Sequence, residues 1–258
     1  MTNDLRSFVE SAGVQVAYQV TGTGPDLVLH HGFSRSGDRW RSQGYVDQLS
    51  SDFRLTLIDA RGHGASDKPH DPASYGLTGR VADVLAVMDA EGIERAHHWG
   101  YSMGGQACFQ LAVSHADRVR SVIIGGMHPF EREPEPLNRR IEKLQEQGVA
   151  GFGDLFESEF GRSANAERAT LDENDPLALA AATAAIRDDP GLTDGYLSTV
   201  TLPALIYCGD EDQQFLEGAR WAADTMNATF VEIPGCDHMT AQNPDLVLPI
   251  VLPLLRSV

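Results

Sequence analysis

The stretch Trp99-Gly100-Tyr101-Ser102-Met103-Gly104-Gly105 decides how the rest of the chain is read. An apolar run precedes it and a helix-like run follows it. Ser102 therefore stands on a strand-to-helix turn, in a Gly-x-Ser-x-Gly frame. Such a turn brings backbones closer than a Cβ allows, which is why glycines flank the serine. The serine must adopt a sparsely populated backbone conformation, a strain the fold has to hold. The pentapeptide alone recurs by chance in a glycine-rich chain, so its surroundings must carry the interpretation.

Upstream, residues 5–20 alternate in the manner of two short strands with Gly13 as the turn. Residues 27–29 form a continuously apolar strand, as expected of one buried on both faces, and it ends in His30-His31-Gly32-Phe33-Ser34. The spacing predicts a helix over 38–49, a strand over 55–58 ending in Asp59-Ala60-Arg61-Gly62-His63-Gly64-Ala65-Ser66, and a helix over 78–90. A strand over 96–99 leads into the serine turn, followed by a helix over 104–114 and a strand over 119–124. Downstream come strands at 204–208 and 229–233, a helix over 214–226, and a final helix over 244–256. Pro249 and Pro253 should kink or break that last helix. This alternation is the signature of an α/β fold with a mostly parallel eight-stranded sheet covered by helices on both faces. Between its halves, residues 128–195 lose the strand pattern. Phe152, Leu155, Phe156 and Phe160 instead recur at helical spacing, and Asp175-Pro176 caps a helix running to Ile186. The expected organisation is a core of 1–127 and 196–258 with a helical cap insertion at 128–195 lying over the strand ends.

The 258-residue chain is 42% hydrophobic and 22% charged, which is ordinary for a soluble globular domain. Its formal charge of −17 argues against nucleic acid and against an anionic membrane surface as partners. Met1-Thr2-Asn3-Asp4-Leu5-Arg6 lacks the pattern of a signal peptide, and no apolar run approaches a membrane span. Cys108, Cys208 and Cys236 are odd in number and lack metal-ligand spacing, so buried or free thiols in a reducing compartment are expected. The expected location is cytoplasmic, with no metal and no cofactor; no feature of the sequence sets an oligomeric state.

A serine hydroxyl is a weak nucleophile until a base takes its proton, and that base needs a third group to fix its tautomer. The chain offers Ser102, Asp212 and His238, in that order, each at a strand end. Asp210 competes with Asp212 for the acid position, whereas Asp237 reads as a solvated loop residue. His30, His97 and His98 read as packing residues, and His63 with Arg61 as a brace for its loop. Gly22-x-Gly24 has no helix after it and is no dinucleotide fingerprint.

His31-Gly32-Phe33, the run from Asp59 to Ser66, the serine turn, Gly209-x-x-Asp212, and His238 before Asn243-Pro244 together resemble the α/β-hydrolase superfamily, over essentially the whole chain. The resemblance implies that the serine turn is a nucleophile elbow. It implies Ser102 as nucleophile, His238 as general base and then acid, and Asp212 as the group orienting His238. It also implies an oxyanion hole made by the backbone N–H groups of Phe33 and Met103. Trp40, Tyr101, Met103 and His128 are pocket-wall candidates, with Phe152 and Phe156 as either insertion core or pocket lining. The activity implied is hydrolysis of a small-to-medium carboxylic ester or lactone through an acyl-enzyme. Serine rather than aspartate at position 102 argues against dehalogenase or epoxide hydrolase chemistry. Carbon–carbon bond hydrolysis of a diketone-like substrate is the nearest alternative, with perhydrolase or haloperoxidase activity beside it. A ligand receptor with slow turnover ranks below these.

Overall fold

The computed structural model describes residues 6–160, 171 and 173–258. Eight strands form one sheet: β1 Ser7–Ser11, β2 Val14–Gly22, β3 Asp26–His30, β4 Arg54–Ile58, β5 Ala96–Tyr101, β6 Val119–Gly125, β7 Ala204–Gly209 and β8 Thr229–Ile233. Their spatial order is β1-β2-β4-β3-β5-β6-β7-β8. β2 pairs antiparallel with β1 and β4, and every other pair is parallel.

The helices are α1 Asp38–Ser42, α2 Tyr45–Leu49, α3 Leu77–Ala90, α4 Met103–Ser114, α5 Pro134–Phe160, α6 Pro176–Arg187, α7 Asp194–Leu197, α8 Leu216–Met226 and α9 Pro244–Leu255. The continuous apolar strands feed two cores by alternation. Val28, Val122, Ile124 and Ile206 face α3, α4 and α8, while Leu27, Leu29, Ile123 and Leu205 face α1, α2 and α9.

Two expectations about helices need correction. The helix predicted over 38–49 is two short ones, because Gly44 between them takes a left-handed conformation (φ 84). The last helix runs unbroken from Pro244 to Leu255 through both prolines. Pro249 and Pro253 are one turn apart on its exposed side, and the residues four back, Asp245 and Pro249, are exposed too. The carbonyls that lose an N–H partner can therefore be hydrated, while Val247, Leu248, Val251 and Leu255 stay packed on the sheet.

Between β6 and β7, α5 and α6 pack on each other through Leu144, Phe152, Leu179 and Ala180. Gly148, at φ 64 and ψ −156, interrupts α5. Leu137 and Ile186 from these helices join Met103 in one cluster with Phe33 packed against it, so α5 and α6 overlie the carboxyl ends of β3 and β5. Asp175 caps α6, accepting from the Leu177 and Ala178 amides, as its sequence predicts. The side chain of Phe160 lies outside the described residues.

Candidate active site

β5 ends at Tyr101, and Ser102 turns the chain into α4 at φ 52, ψ −120. A non-glycine residue there costs about 1–3 kcal/mol, which the surrounding fold must outweigh. Two hydrogen bonds hold it: the Ser102 amide donates to the Gly125 carbonyl (2.8 Å), and the Ser102 carbonyl accepts from the Gly105 amide (2.8 Å). The flanking glycines are required by close approach. A Cβ on Gly100 would lie 2.3 Å from the Gly104 oxygen, and one on Gly104 would lie 2.2 Å from the His30 oxygen.

The loops after β5, β7 and β8 bring Ser102, Asp212 and His238 together. His238 Nε2 is 3.0 Å from Ser102 Oγ, and His238 Nδ1 is 2.7 Å from Asp212 Oδ2. With Nδ1–H donating to the carboxylate, Nε2 is left as acceptor for the serine hydroxyl proton. Asp212 is only 3% exposed and His238 6%. The Cys208 thiol also donates to Asp212 Oδ2 (3.6 Å). Asp210 does different work: its Oδ1 accepts from the Gly235 and Cys236 amides, tying the β7 loop to the β8 loop. Asp237 accepts from the Met239 and Thr240 amides within its own loop.

Two supports for His238 carried no signal in the sequence. The Tyr101 hydroxyl donates to the His238 carbonyl (2.6 Å), and burial raises the pKa of that phenol, keeping it a donor. The Phe215 ring stacks on the imidazole at 4.8 Å and 28°.

Met103 opens α4, so its amide is among the first-turn donors that lack an intrahelical acceptor. The Phe33 amide belongs to the same peptide as the Gly32 carbonyl, and that carbonyl is fixed by its neighbour. The Ala60 amide donates to His31 Nε2 (3.0 Å), which leaves the proton on Nδ1 to be donated to the Gly32 oxygen (2.8 Å). Burial lowers the His31 pKa, so this neutral form is the favoured one. Gly32 also lies against the serine: a Cβ there would be 3.5 Å from Ser102 Cβ.

A cleft with about 690 Å³ of free space, part of it open to solvent, lies over Ser102 and His238. Phe33, Tyr101, Met103, Phe152 and Phe156 line it. Trp40 does not: it is 3% exposed and packs edge-on against Tyr45 and Trp99 in the core beneath the sheet. His128 does not line this cleft either; it lies behind Phe215, facing a second hollow beside Asp212 and Arg132. The cleft also contains three arginines that the sequence did not single out, Arg35, Arg132 and Arg140.

The remaining histidines pack as expected. His30 Nε2 contacts His98 Nδ1 (3.1 Å), His97 contacts the Ser121 hydroxyl (2.8 Å), and His63 Nδ1 donates to the Arg61 carbonyl (3.0 Å). Arg61 makes a two-pronged ion pair with Asp83, bracing its loop. Among the described residues, no group of three or more His, Cys, Asp or Glu side chains is arranged to hold a metal, and no helix is long and apolar enough to cross a membrane.

An eight-stranded sheet of this order, with an acid, a histidine and a strained serine at its strand ends, defines a hydrolase of the α/β type. Residues 25–200 match the family model of the alpha/beta hydrolase fold, and the chain belongs to that family. It is 26% identical to 3-oxoadipate enol-lactonase 1 of Acinetobacter baylyi over 211 residues, covering 78% of this chain and 77% of that one. Its structure is similar to the enol-lactonase of Burkholderia xenovorans (TM-score 0.86, 25% identity, 97% and 100% of the two chains). It is also similar to a hydrolase of Pseudomonas aeruginosa (TM-score 0.85, 26% identity, 98% and 99%).

Proposed function

We propose that this hydrolase cleaves a small-to-medium carboxylic ester or lactone through an acyl-enzyme on Ser102, beneath a helical cap formed by residues 128–195 on a core of 1–127 and 196–258. The observation that carries the reading is the relay from Asp212 to His238 (2.7 Å) to Ser102 Oγ (3.0 Å) at the floor of the cleft. Ser102 Oγ attacks the carbonyl carbon as His238 Nε2 takes its proton, and the buried Asp212 carboxylate stabilises the imidazolium. The developing oxyanion is met by the Phe33 and Met103 amides, with the N-terminal dipole of α4 behind the second. His238 returns the proton to the leaving alkoxide. Water, deprotonated by His238, then attacks the acyl carbon and regenerates the serine. In a lactone the leaving alkoxide stays tethered to the acyl group, and the product is a hydroxy acid. The enol-lactonase relatives and the contacts of Leu137 and Ile186 with Met103 support the substrate class and the cap. Free buried thiols at Cys108, Cys208 and Cys236 support a reducing, cytoplasmic setting.

The test is turnover of p-nitrophenyl acetate and butyrate by wild type and Ser102→Ala, with a fluorophosphonate probe located by mass spectrometry. Release of p-nitrophenol by wild type alone and a single adduct on Ser102 are expected. Equal rates in the two proteins, or an adduct elsewhere, refute it.

A further inference from the structure

The cleft arginines carry an inference about the substrate, and it rests on the serine-hydrolase reading of Ser102. The chain holds 37 acidic residues against 20 lysines and arginines, so partners for a guanidinium are plentiful. Several arginines use them: Arg61 pairs with Asp83, Arg54 with Asp26 and Glu91, and Arg118 with Asp89. Arg132, in the cleft, has no such acid partner among the described residues. It lies in the cleft wall, its guanidinium carbon 4.5 Å from the Phe215 ring centre, and the hydrogen bond it makes is a long one to the Met127 sulfur (3.6 Å). It makes no ion pair with any described residue. Glu131, Glu133, Glu211 and Asp237 border the adjoining hollow without pairing with it, and Asp212 is committed to His238. Burial and the neighbouring Arg140 lower its pKa to about 10, so it remains a cation at neutral pH. A guanidinium offers five N–H donors, and a thioether is a weak acceptor for one of them. Arg35 and Arg140 line the same cleft, over the rings of Phe156 and of Phe33 and Phe152.

We infer that Arg132 receives a carboxylate carried by the substrate, making this a hydrolase of acidic esters or lactones. A carboxylate matches the guanidinium fork with two parallel hydrogen bonds. Phe215 sets the spacing: one ring contacts both His238 and Arg132. The carboxylate is thus held about one aromatic ring beyond the reacting pair, and a chain of a few carbons joins it to the scissile carbonyl.

The probes are the monomethyl esters of succinate, glutarate and adipate, each paired with the methyl ester of the monocarboxylic acid of equal chain length. Wild type should prefer the charged member of at least one pair by about tenfold or more in kcat/KM. Arg132→Gln should reduce that ratio by about 10- to 100-fold, the range for a charged hydrogen-bonded contact. Arg132→Lys, which keeps the charge, should recover part of it. A wild-type ratio near one, or a ratio unmoved in Arg132→Gln, overturns the inference. Calorimetry of glutarate and adipate on Ser102→Ala, with and without Arg132→Gln, decides it independently of turnover. Saturable binding abolished by the Gln substitution supports the inference, and no binding overturns it. If no ester is cleaved and Ser102 takes no fluorophosphonate, the serine-hydrolase reading fails on its own, and the calorimetry still decides the role of Arg132.

Discussion

His31→Phe tests whether the Gly32–Phe33 peptide is held in place by its histidine. The imidazole donates from Nδ1 to the Gly32 oxygen at 2.8 Å and accepts from the Ala60 amide at 3.0 Å. Across a trans peptide the carbonyl and the N–H point in opposite directions, so fixing the Gly32 oxygen on one side aims the Phe33 N–H at the other. Phenylalanine fills the space and can do neither job. What remains on the Gly32 oxygen is a longer bond from the Arg35 amide, 3.3 Å. The lost hydrogen bond is worth about 0.5–1.5 kcal/mol, which sets a lower bound of a few-fold in rate. Complete loss of one oxyanion donor costs about 2.7–4 kcal/mol and sets the upper bound.

The expected result for His31→Phe is a fall in kcat of about 5- to 100-fold, between those bounds, with KM within about threefold, because the contact matters only as the oxyanion forms. Steady-state hydrolysis of p-nitrophenyl butyrate reads both constants, and the rate of fluorophosphonate labelling should fall in parallel. His31→Asn separates the two hydrogen bonds. Its amide nitrogen can stand where Nδ1 stood and donate to the Gly32 oxygen, leaving the Ala60 amide unsatisfied. Asn should therefore recover most of kcat at the expense of about 1–3 kcal/mol of stability. A folded Phe variant with kcat within twofold of wild type, or an Asn variant as slow as the Phe one, refutes the reasoning.

Asp212→Asn should lower kcat by about 10⁴-fold with the fold intact, since it reverses the hydrogen bond that sets the His238 tautomer; circular dichroism and ester kinetics check both halves. Gly104→Ala places a Cβ 2.2 Å from the His30 oxygen and 2.6 Å from its carbonyl carbon, backbone atoms that no rotamer change can move aside. It should destabilise the protein by about 1–3 kcal/mol or more, read as a drop in Tm, and take the esterase activity with it. Acid should unfold the protein early. Burial lowers the pKa of His63 and His98 to about 3 and of His97 and His128 to about 4. Such groups bind protons in the unfolded state first, so their contribution is intact above about pH 6.5 and is lost as pH falls toward their folded values. Together these four give a slope approaching about 5 kcal/mol per pH unit, against a typical total of about 5–15 kcal/mol. Unfolding followed by fluorescence should have its midpoint between pH 4 and 6.5, and a protein still folded at pH 3.5 contradicts this.

The α/β alternation was legible because strands buried on both faces are short and continuously apolar while the helices between them are amphipathic, and no tertiary detail is needed to see either. The breaks were not. Gly44 splits one helix where its conformation, not its composition, is decisive. Pro249 and Pro253 leave another intact because both face solvent. The serine and histidine could be picked out by their order along the chain, since a parallel sheet collects its strand ends on one edge whatever the loops contain, whereas Asp212 was separated from Asp210 only by the family resemblance. The pocket walls have no such rule. Trp40 and Phe152 are both large and apolar, yet one is locked against Trp99 and the other lines the cleft.

Arg132 was the harder residue to see, because a charge in sequence says nothing about whether an acid meets it. A net charge of −17 makes a pairing acid the default expectation and hides an arginine in the cleft that no described acid meets. The same global charge opposes the approach of an anionic substrate. At physiological ionic strength, however, the screening length is about 8 Å, so acids scattered over the surface act only on their near neighbours. An anion that has entered the cleft meets Arg132 within low-dielectric walls, where a charge is felt more strongly than at the surface. An acidic protein can on this account select an acidic substrate: the surface charge sets solubility, and the local field over Ser102 sets specificity.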